Sequence, residues 1–282
     1  LVVATVVPAT RGDSAAVSVL DRILSTTRAG VAERKLRTPE AELRARLAEL
    51  GPCRPFLEAL RRPPGAPIRV LAEIKRRSPS RGEIRPGASP EQVARAYHAA
   101  GVAAISVLTD QPFFDGRLEF LARVREVVPL PLLRKDFHVD PYQLVEARVA
   151  GADAVLLIAA ALQGDQLTDL VALAGELGMA ALVEIWATDE VERVAGLPLV
   201  GINHRDLHTL KIDMSITGRL LAGGLRASLA PRAVVVGESG IDSPATVVRM
   251  AALGLDCLLV GTTLMAAPDI GARVRELFAG PR

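Results

Sequence analysis

Eight short apolar runs recur through the last three-quarters of the chain. They are RVLAEIKR (69–76), AAISVLTD (103–110), LPLLRKDF (130–137), AVLLIAA (154–160), AALVEIWA (180–187), LVGINHRD (199–206), AVVVGESG (233–240) and CLLVGTTL (257–264). Their length and near-continuous hydrophobicity suit strands buried on both faces. Between them lie segments such as PEQVARAYHAAG, DPYQLVEARVAG, TDEVERVAG and SPATVVRMAALG, several opening on a capping Ser, Thr or Asp and closing on glycine. Alternating strands and helices mean a parallel sheet. Eight units in about 200 residues predict a closed (β/α)8 TIM barrel over residues 67–282 rather than an open doubly wound sheet, and no GxGxxG follows the first run.

Ahead of the barrel the pattern changes. VSVLDRILSTTRAGVAERK places Val19, Leu20, Ile23 and Val31 at helical spacing. PEAELRARLAEL, with Pro39 at its start and Gly51 past its end, predicts a second helix, and RPFLEALRR a third, closed by Pro63-Pro64-Gly65. Residues 17–66 therefore read as a helical extension that packs on the barrel, and residues 1–16 as a disordered tail.

Composition narrows the class. Half of the 282 residues are hydrophobic and 23% are charged, enough for a sizeable core. A net charge of +2 with no block of like charge gives no footprint for nucleic acid or a membrane surface. Cys53 and Cys257 lie far apart without metal-binding company, which fits reduced thiols in the cytoplasm. No apolar run reaches the roughly 18–20 residues of a membrane span, and LVVATVVPATRGDS lacks the basic start of a signal peptide. His98, His138, His204 and His208 have no metal-ligand spacing and are expected at the surface or behind the reacting groups.

The chemistry collects at the ends of the runs. Only four lysines occur against thirty arginines, and one of them, Lys135, stands at the tip of a core strand, where lysine is rare without a partner. Glu73, Lys75, Asp110, Lys135, Glu184, Asn203, Arg205 and Glu238 all fall at C-terminal strand ends, the active-site face of this fold. Strand alternation sorts them. Glu73 and Lys75 oppose Val70 and Ile74, Glu184 opposes Val183 and Ile185, and Asn203 and Arg205 oppose Val200 and Ile202. The apolar parity belongs under the helices, so the charged parity points into the barrel mouth.

Inward lysines and glutamates make an acid–base set, in which a desolvated lysine beside another cation is expected to have a lowered pKa. The plainer alternative is an ion-pair network that merely closes the barrel. Gly240 and Gly261, after the last two strands, allow close backbone approach to an anion where this fold commonly holds phosphate, with Lys75 across the closing seam as a counter-charge. SPSRGEI (78–84) and QPFFDG (111–116) are expected to be loops folding over the mouth, the second carrying Phe113 and Phe114, while Trp186 either lines a pocket or packs.

AEIKRRSPSRGEI, ISVLTDQPFFDG, LLRKDFHVDPYQLVEARVAGADAVLLI, LVEI, GINHRDLHTLKID, ESGI and LVGTTLM together resemble the indole-3-glycerol-phosphate synthase family, in order and from about Val17 onward. The resemblance implies conversion of 1-(o-carboxyphenylamino)-1-deoxyribulose 5-phosphate to indole-3-glycerol phosphate, carbon dioxide and water in tryptophan biosynthesis, with neither metal nor organic cofactor. By it Lys135 is the general acid at the substrate carbonyl and Glu184 the acid–base partner at the departing hydroxyl, with Glu73 and Lys75 assisting. Asn203, Arg205 and Glu238 hold substrate groups or the lysine in place, and Ser78, Phe114 and Ser239 contact the substrate. Gly240, Gly261 and Thr262 border the phosphate, which Lys75 also reaches. His204, Trp186 and Thr262 depart from the family pattern and bear on fine substrate contacts. The implied partners are a small phosphorylated substrate and other tryptophan-pathway enzymes. Family members begin close to VSVLDRIL, so Val17 is the expected natural start and residues 1–16 upstream sequence. Two rival readings demand other residues. Phosphoribosylanthranilate isomerase would need a cysteine–aspartate pair at strand ends, and a silent scaffold barrel would be expected to have lost its rim acids and bases.

Overall fold

The computed structural model describes residues 18–279; the expected tail, residues 1–16, and the expected start at Val17 lie outside the described residues. Eight parallel strands close into a barrel: β1 (Arg69–Ile74), β2 (Ala104–Leu108), β3 (Leu132–Lys135), β4 (Ala154–Ile158), β5 (Ala180–Ile185), β6 (Leu199–Asn203), β7 (Val234–Glu238) and β8 (Cys257–Val260). Each pairs with its sequence neighbours, and β1 pairs with β8 through Arg69↔Cys257 to Ala72↔Val260, so no edge is left open.

Alternation divides the strand side chains between two cores. Val70, Ala72, Ile74, Val183, Ile185, Val200 and Ile202 pack outward under the helices. Leu71, Leu133, Leu156, Leu182, Leu199, Val236 and Leu259 fill the barrel interior. Above that apolar plug the inward parity turns polar on five strands, at Glu73, Lys135, Glu184, Asn203 and Glu238. The helices begin where the capping signals stand: Ser89, Asp140 and Ser243 each accept a backbone N–H from the first turn of the following helix. TDEVERVAG is the exception, winding as a 3-10 helix over Thr188–Val194.

Three helices precede the barrel: α1 (Val19–Arg37), α2 (Glu40–Leu47) and α3 (Phe56–Leu60). The start of α1 lies over the mouth, and Leu20, Ile23 and Leu24 join the interior core. Its second half runs down the wall, where Val31 and, from α2, Leu43 pack on Tyr142 and Val145. α3 covers the opposite end. Beside it Arg54 donates to the carbonyls of Val128 and Leu130, and Arg61 to that of Arg232, all in loops that enter strands. Cys53 is half-buried, Cys257 is buried in the interior core, and both are free thiols. Among the described residues no helix is long and apolar enough to cross a membrane.

Candidate active site

Lys135 ends β3 facing inward, with Nζ 3.6 Å from Glu184 Oε2 and 4.0 Å from Glu238 Oε2. Each carboxylate is fixed by its neighbours. Asn203 Nδ2 donates to Glu184 Oε1 at 2.9 Å, and the Asn203 carbonyl oxygen Oδ1 accepts from the Arg205 backbone at 3.0 Å. Glu238 occupies space left by Gly201, where an added Cβ would meet its Oε1. Glu73 pairs with Lys75 at 2.5 Å, so the cation expected to balance a phosphate is engaged by a carboxylate here. Gly261 makes room for Glu73 in the same way as Gly201 does for Glu238. Glu238 Oε1 is buried with no hydrogen-bond partner among the described residues, and Glu184 Oε2 has only the 3.6 Å contact with Lys135, which is costly in a packed interior unless something else is to meet them.

The electrostatics reverse one expectation. Burial pulls the Lys135 pKa down, but the charges of Glu184, Glu238 and Glu73 outweigh it and raise the pKa above the ordinary lysine value. The carboxylates are the close neighbours, not a second cation, so Lys135 carries its proton firmly. Glu238 is pushed up as well: burial, then the Glu184 charge, raise it well above the ordinary carboxylate range despite Lys135. Both shifts favour the protonated form.

These groups surround a cavity of about 190 Å³. Lys135, Glu184, Glu73, Lys75, Asn203 and Glu238 all line it, as do Ser78, Phe114, Arg205 and Ser239. Gly240, Gly261 and Thr262 form its side under β7 and β8. Ser239 and Gly240 both have left-handed backbones, φ 65° and 71°, and the buried His204 Nδ1 donates to the carbonyls of Glu238 and Ser239 at 2.7 and 3.1 Å. Burial lowers the His204 pKa, which keeps the ring neutral. His138 is likewise buried and bonds the Leu156 carbonyl; His98 and His208 are exposed.

The two expected loops have structure of their own. Arg77–Ser78 and Gly82–Glu83 pair as a small hairpin, and Gln111–Phe114 is one helical turn. Arg77 donates to the Pro112 carbonyl at 2.5 Å and Arg76 lies 3.7 Å from Asp115, tying one to the other. Asp110 is not a mouth residue. Its carboxylate caps that turn, accepting the Phe113 N–H at 2.8 Å, because the chain has already left the barrel there. Trp186 does not line the cavity either.

Sequence reasoning missed the apolar wall. Val19, Leu20 and Ile23 from α1, with Phe137, Leu156 and Ile158, face the polar set across the cavity. The helical spacing of the first three was legible, but nothing local in it says which surface they cover. Arg81 at the hairpin tip also lines the cavity, and it helps burial lower the Arg205 pKa.

Fold and cavity together define a (β/α)8-barrel enzyme with its titratable groups gathered at the C-terminal strand ends. Among solved structures, 3-hexulose-6-phosphate synthase superposes with a TM-score of 0.58 at 19% identity over 75% of this chain and 99% of the other. The tryptophan synthase A-subunit from Pyrococcus furiosus gives 0.55 at 15% identity over 76% and 98%. At such identities these likenesses concern the barrel alone. The family model for indole-3-glycerol phosphate synthase matches residues 20–277. The indole-3-glycerol phosphate synthase of Neisseria gonorrhoeae is 46% identical over 263 residues, 92% of this chain and 99% of its own length. That of Roseiflexus castenholzii is 44% identical over 271 residues, covering 92% and 98%. The chain belongs to the indole-3-glycerol phosphate synthase family. Its activity is that of a decarboxylating carbon–carbon lyase in tryptophan biosynthesis, acting on a small phosphorylated substrate.

Proposed function

We propose that the cavity closes the indole ring of 1-(o-carboxyphenylamino)-1-deoxyribulose 5-phosphate with Lys135 as the general acid. The supporting observation is its position, 3.6 Å from Glu184 and 4.0 Å from Glu238 in a cavity with one polar and one apolar wall. As the ring carbon bearing the carboxylate attacks the ribulose carbonyl, Lys135 delivers its proton to the carbonyl oxygen. Carbon dioxide then leaves from a ring carbon next to an iminium electron sink that the substrate itself supplies. Glu184, aimed by Asn203, serves the departing hydroxyl and the ring proton, with Glu73 and Lys75 assisting. Arg205, Ser78 and Ser239 contact the polar groups of the substrate, and the backbone at Gly240, Gly261 and Thr262 borders the phosphate, which Lys75 also reaches. Phe114 and the apolar wall take the aromatic ring and keep water from it.

In this reading residues 17–66 are an extension serving the catalytic barrel of residues 67–282. The enzyme works in the cytoplasm, where other tryptophan-pathway enzymes are its candidate partners. The test adds the carboxyphenylamino substrate and follows indole fluorescence. Wild type is expected to turn over and Lys135→Ala to be inert while remaining folded; an equally fast variant ends the assignment.

A further inference from the structure

Arg134, next to Lys135 but on the outer face of β3, is 2% exposed and unused by the chemistry above. The place where it acts is the weak point of the strand. β3 bonds β2 as far as Leu108↔Lys135, but it bonds β4 only at Leu133↔Ala154 and Arg134↔Val155. From Lys135 onward the ladder on one side is gone, and buried side chains hold the backbone instead. The Asp136 carboxylate accepts from Arg134 Nη2 at 2.9 Å, from Thr109 Oγ1 at 2.5 Å and from the Phe137 N–H at 2.9 Å. Gln143 Nε2 donates to the Phe137 carbonyl at 3.0 Å.

Arg134 also reaches away from the mouth. Its Nη1 donates to the Gln143 carbonyl at 2.9 Å and lies 2.9 Å from Glu146 Oε2. The other oxygen of Glu146 accepts from Arg34 of α1 at 2.7 Å. The far end of α1 carries Val19, Leu20 and Ile23 into the cavity wall. One carboxylate thus holds both the strand that bears Lys135 and the helix that bears the apolar wall.

Buried ion networks are not required for stability, since well-packed apolar replacements are often neutral or better. Their directional bonds do select one geometry when every member is met. We propose that Arg134 and Glu146 are positioning residues: their bonds fix the end of β3, and so the aim of Lys135, and through Arg34 they hold the α1 wall in register with it. This rests on Lys135 being the proton donor.

The test replaces the buried members of the network, Arg134→Met with Asp136→Asn and Glu146→Leu. The triple variant is expected to stay folded, with kcat lower by about 100-fold, the cost of a misaimed group at about 1 Å, and with KM raised several-fold because Glu146→Leu also cuts the bond to α1. Arg34→Met alone cuts the tie to α1 and is expected to raise KM several-fold at unchanged kcat. Arg134→Lys keeps the charge but loses the fork that spans Asp136 and Glu146; it is expected to lose about tenfold in kcat at constant KM, whether or not the triple variant folds. Wild-type kcat in folded Arg134→Lys, or a loss that only tracks the unfolded fraction, overturns the proposal. Lys135→Ala separates the two levels: if that variant is active the donor assignment has failed, and if it is inert beside an unimpaired Arg134→Lys only the positioning role has.

Discussion

Arg134 and Lys135 are consecutive residues on one short strand, and they face two buried charge clusters of different kinds. Outward, the Arg134 guanidinium meets Thr109, Asp136, the Gln143 carbonyl and Glu146, all at 2.9–3.3 Å. Inward, Lys135 stands at 3.6 and 4.0 Å from its carboxylates, farther than any of the Arg134 contacts. A scaffold satisfies its buried polar groups because each unmet one is costly. A site holds its charges at longer range, where a ligand has room to come between them. Loose contact separates the mouth from the wall behind it.

The comparison breaks most visibly on stability. Arg134→Ala leaves Asp136 and Glu146 buried without their shared cation, so it is expected to cost about 3–5 kcal/mol, read as a lower denaturant midpoint at unchanged slope. A loss below about 1 kcal/mol would mean that the outward cluster is as dispensable as a surface pair. Lys135→Arg should show the opposite profile. It keeps a cation facing Glu184 and Glu238, so stability is expected to hold within about 1 kcal/mol. Yet guanidinium does not release its proton, and kcat is expected to fall by at least about 100-fold, the lower end of what a positioned acid supplies. Indole fluorescence under saturating substrate measures it; an active arginine variant would show that charge, not proton transfer, is what the position provides.

Much of this contrast was legible in the chain. The period-two parity of RVLAEIK, ALVEI and VGINHR sends Glu73, Lys75, Glu184 and Asn203 to the mouth and Val70, Val183 and Val200 to the helices, because a barrel strand has only two faces. What stayed hidden depends on distance in three dimensions. The direction of the Lys135 pKa needs the identity of its nearest charges, which come from β5 and β7, about 50 and 100 residues away. The role of Asp110 was hidden for a local reason: a carboxylate at a strand end is also the first residue of a helical turn, and there the cap wins. The apolar wall from α1 was hidden because amphipathic spacing gives a face without an address.

Gly261 sharpens the comparison from the mouth side. A Cβ there would meet Glu73 Oε1 and stand 3.1 Å from Glu73 Cβ. Glu73 is buried and paired with Lys75, so it has little room to retreat. Gly261→Ala is expected to displace that pair and lower kcat/KM about tenfold, roughly 1.4 kcal/mol of transition-state stabilisation. A double variant with Glu73→Ala should regain the space but not the rate. Wild-type kinetics in Gly261→Ala would mean that the Glu73–Lys75 geometry is slack.

Asp110 stands where the two clusters meet, next to the Thr109–Asp136 bond on one side and under the turn that carries Phe114 on the other. Burial, only partly offset by the Phe113 N–H and reinforced by the Asp136 charge, raises its pKa from 3.8 to about 6. The sign follows from proton binding: between these values the folded chain keeps a proton that the unfolded chain gives up. Its contribution to stability is therefore full below about pH 4 and lost as pH rises through about 6. Asp110→Asn keeps an oxygen to accept the Phe113 N–H and removes the buried charge. Its midpoint should match wild type at pH 4 and exceed it by a few degrees at pH 7, on the order of 1 kcal/mol. A gain of equal size at both pH values would assign the effect to packing and leave the carboxylate out of it.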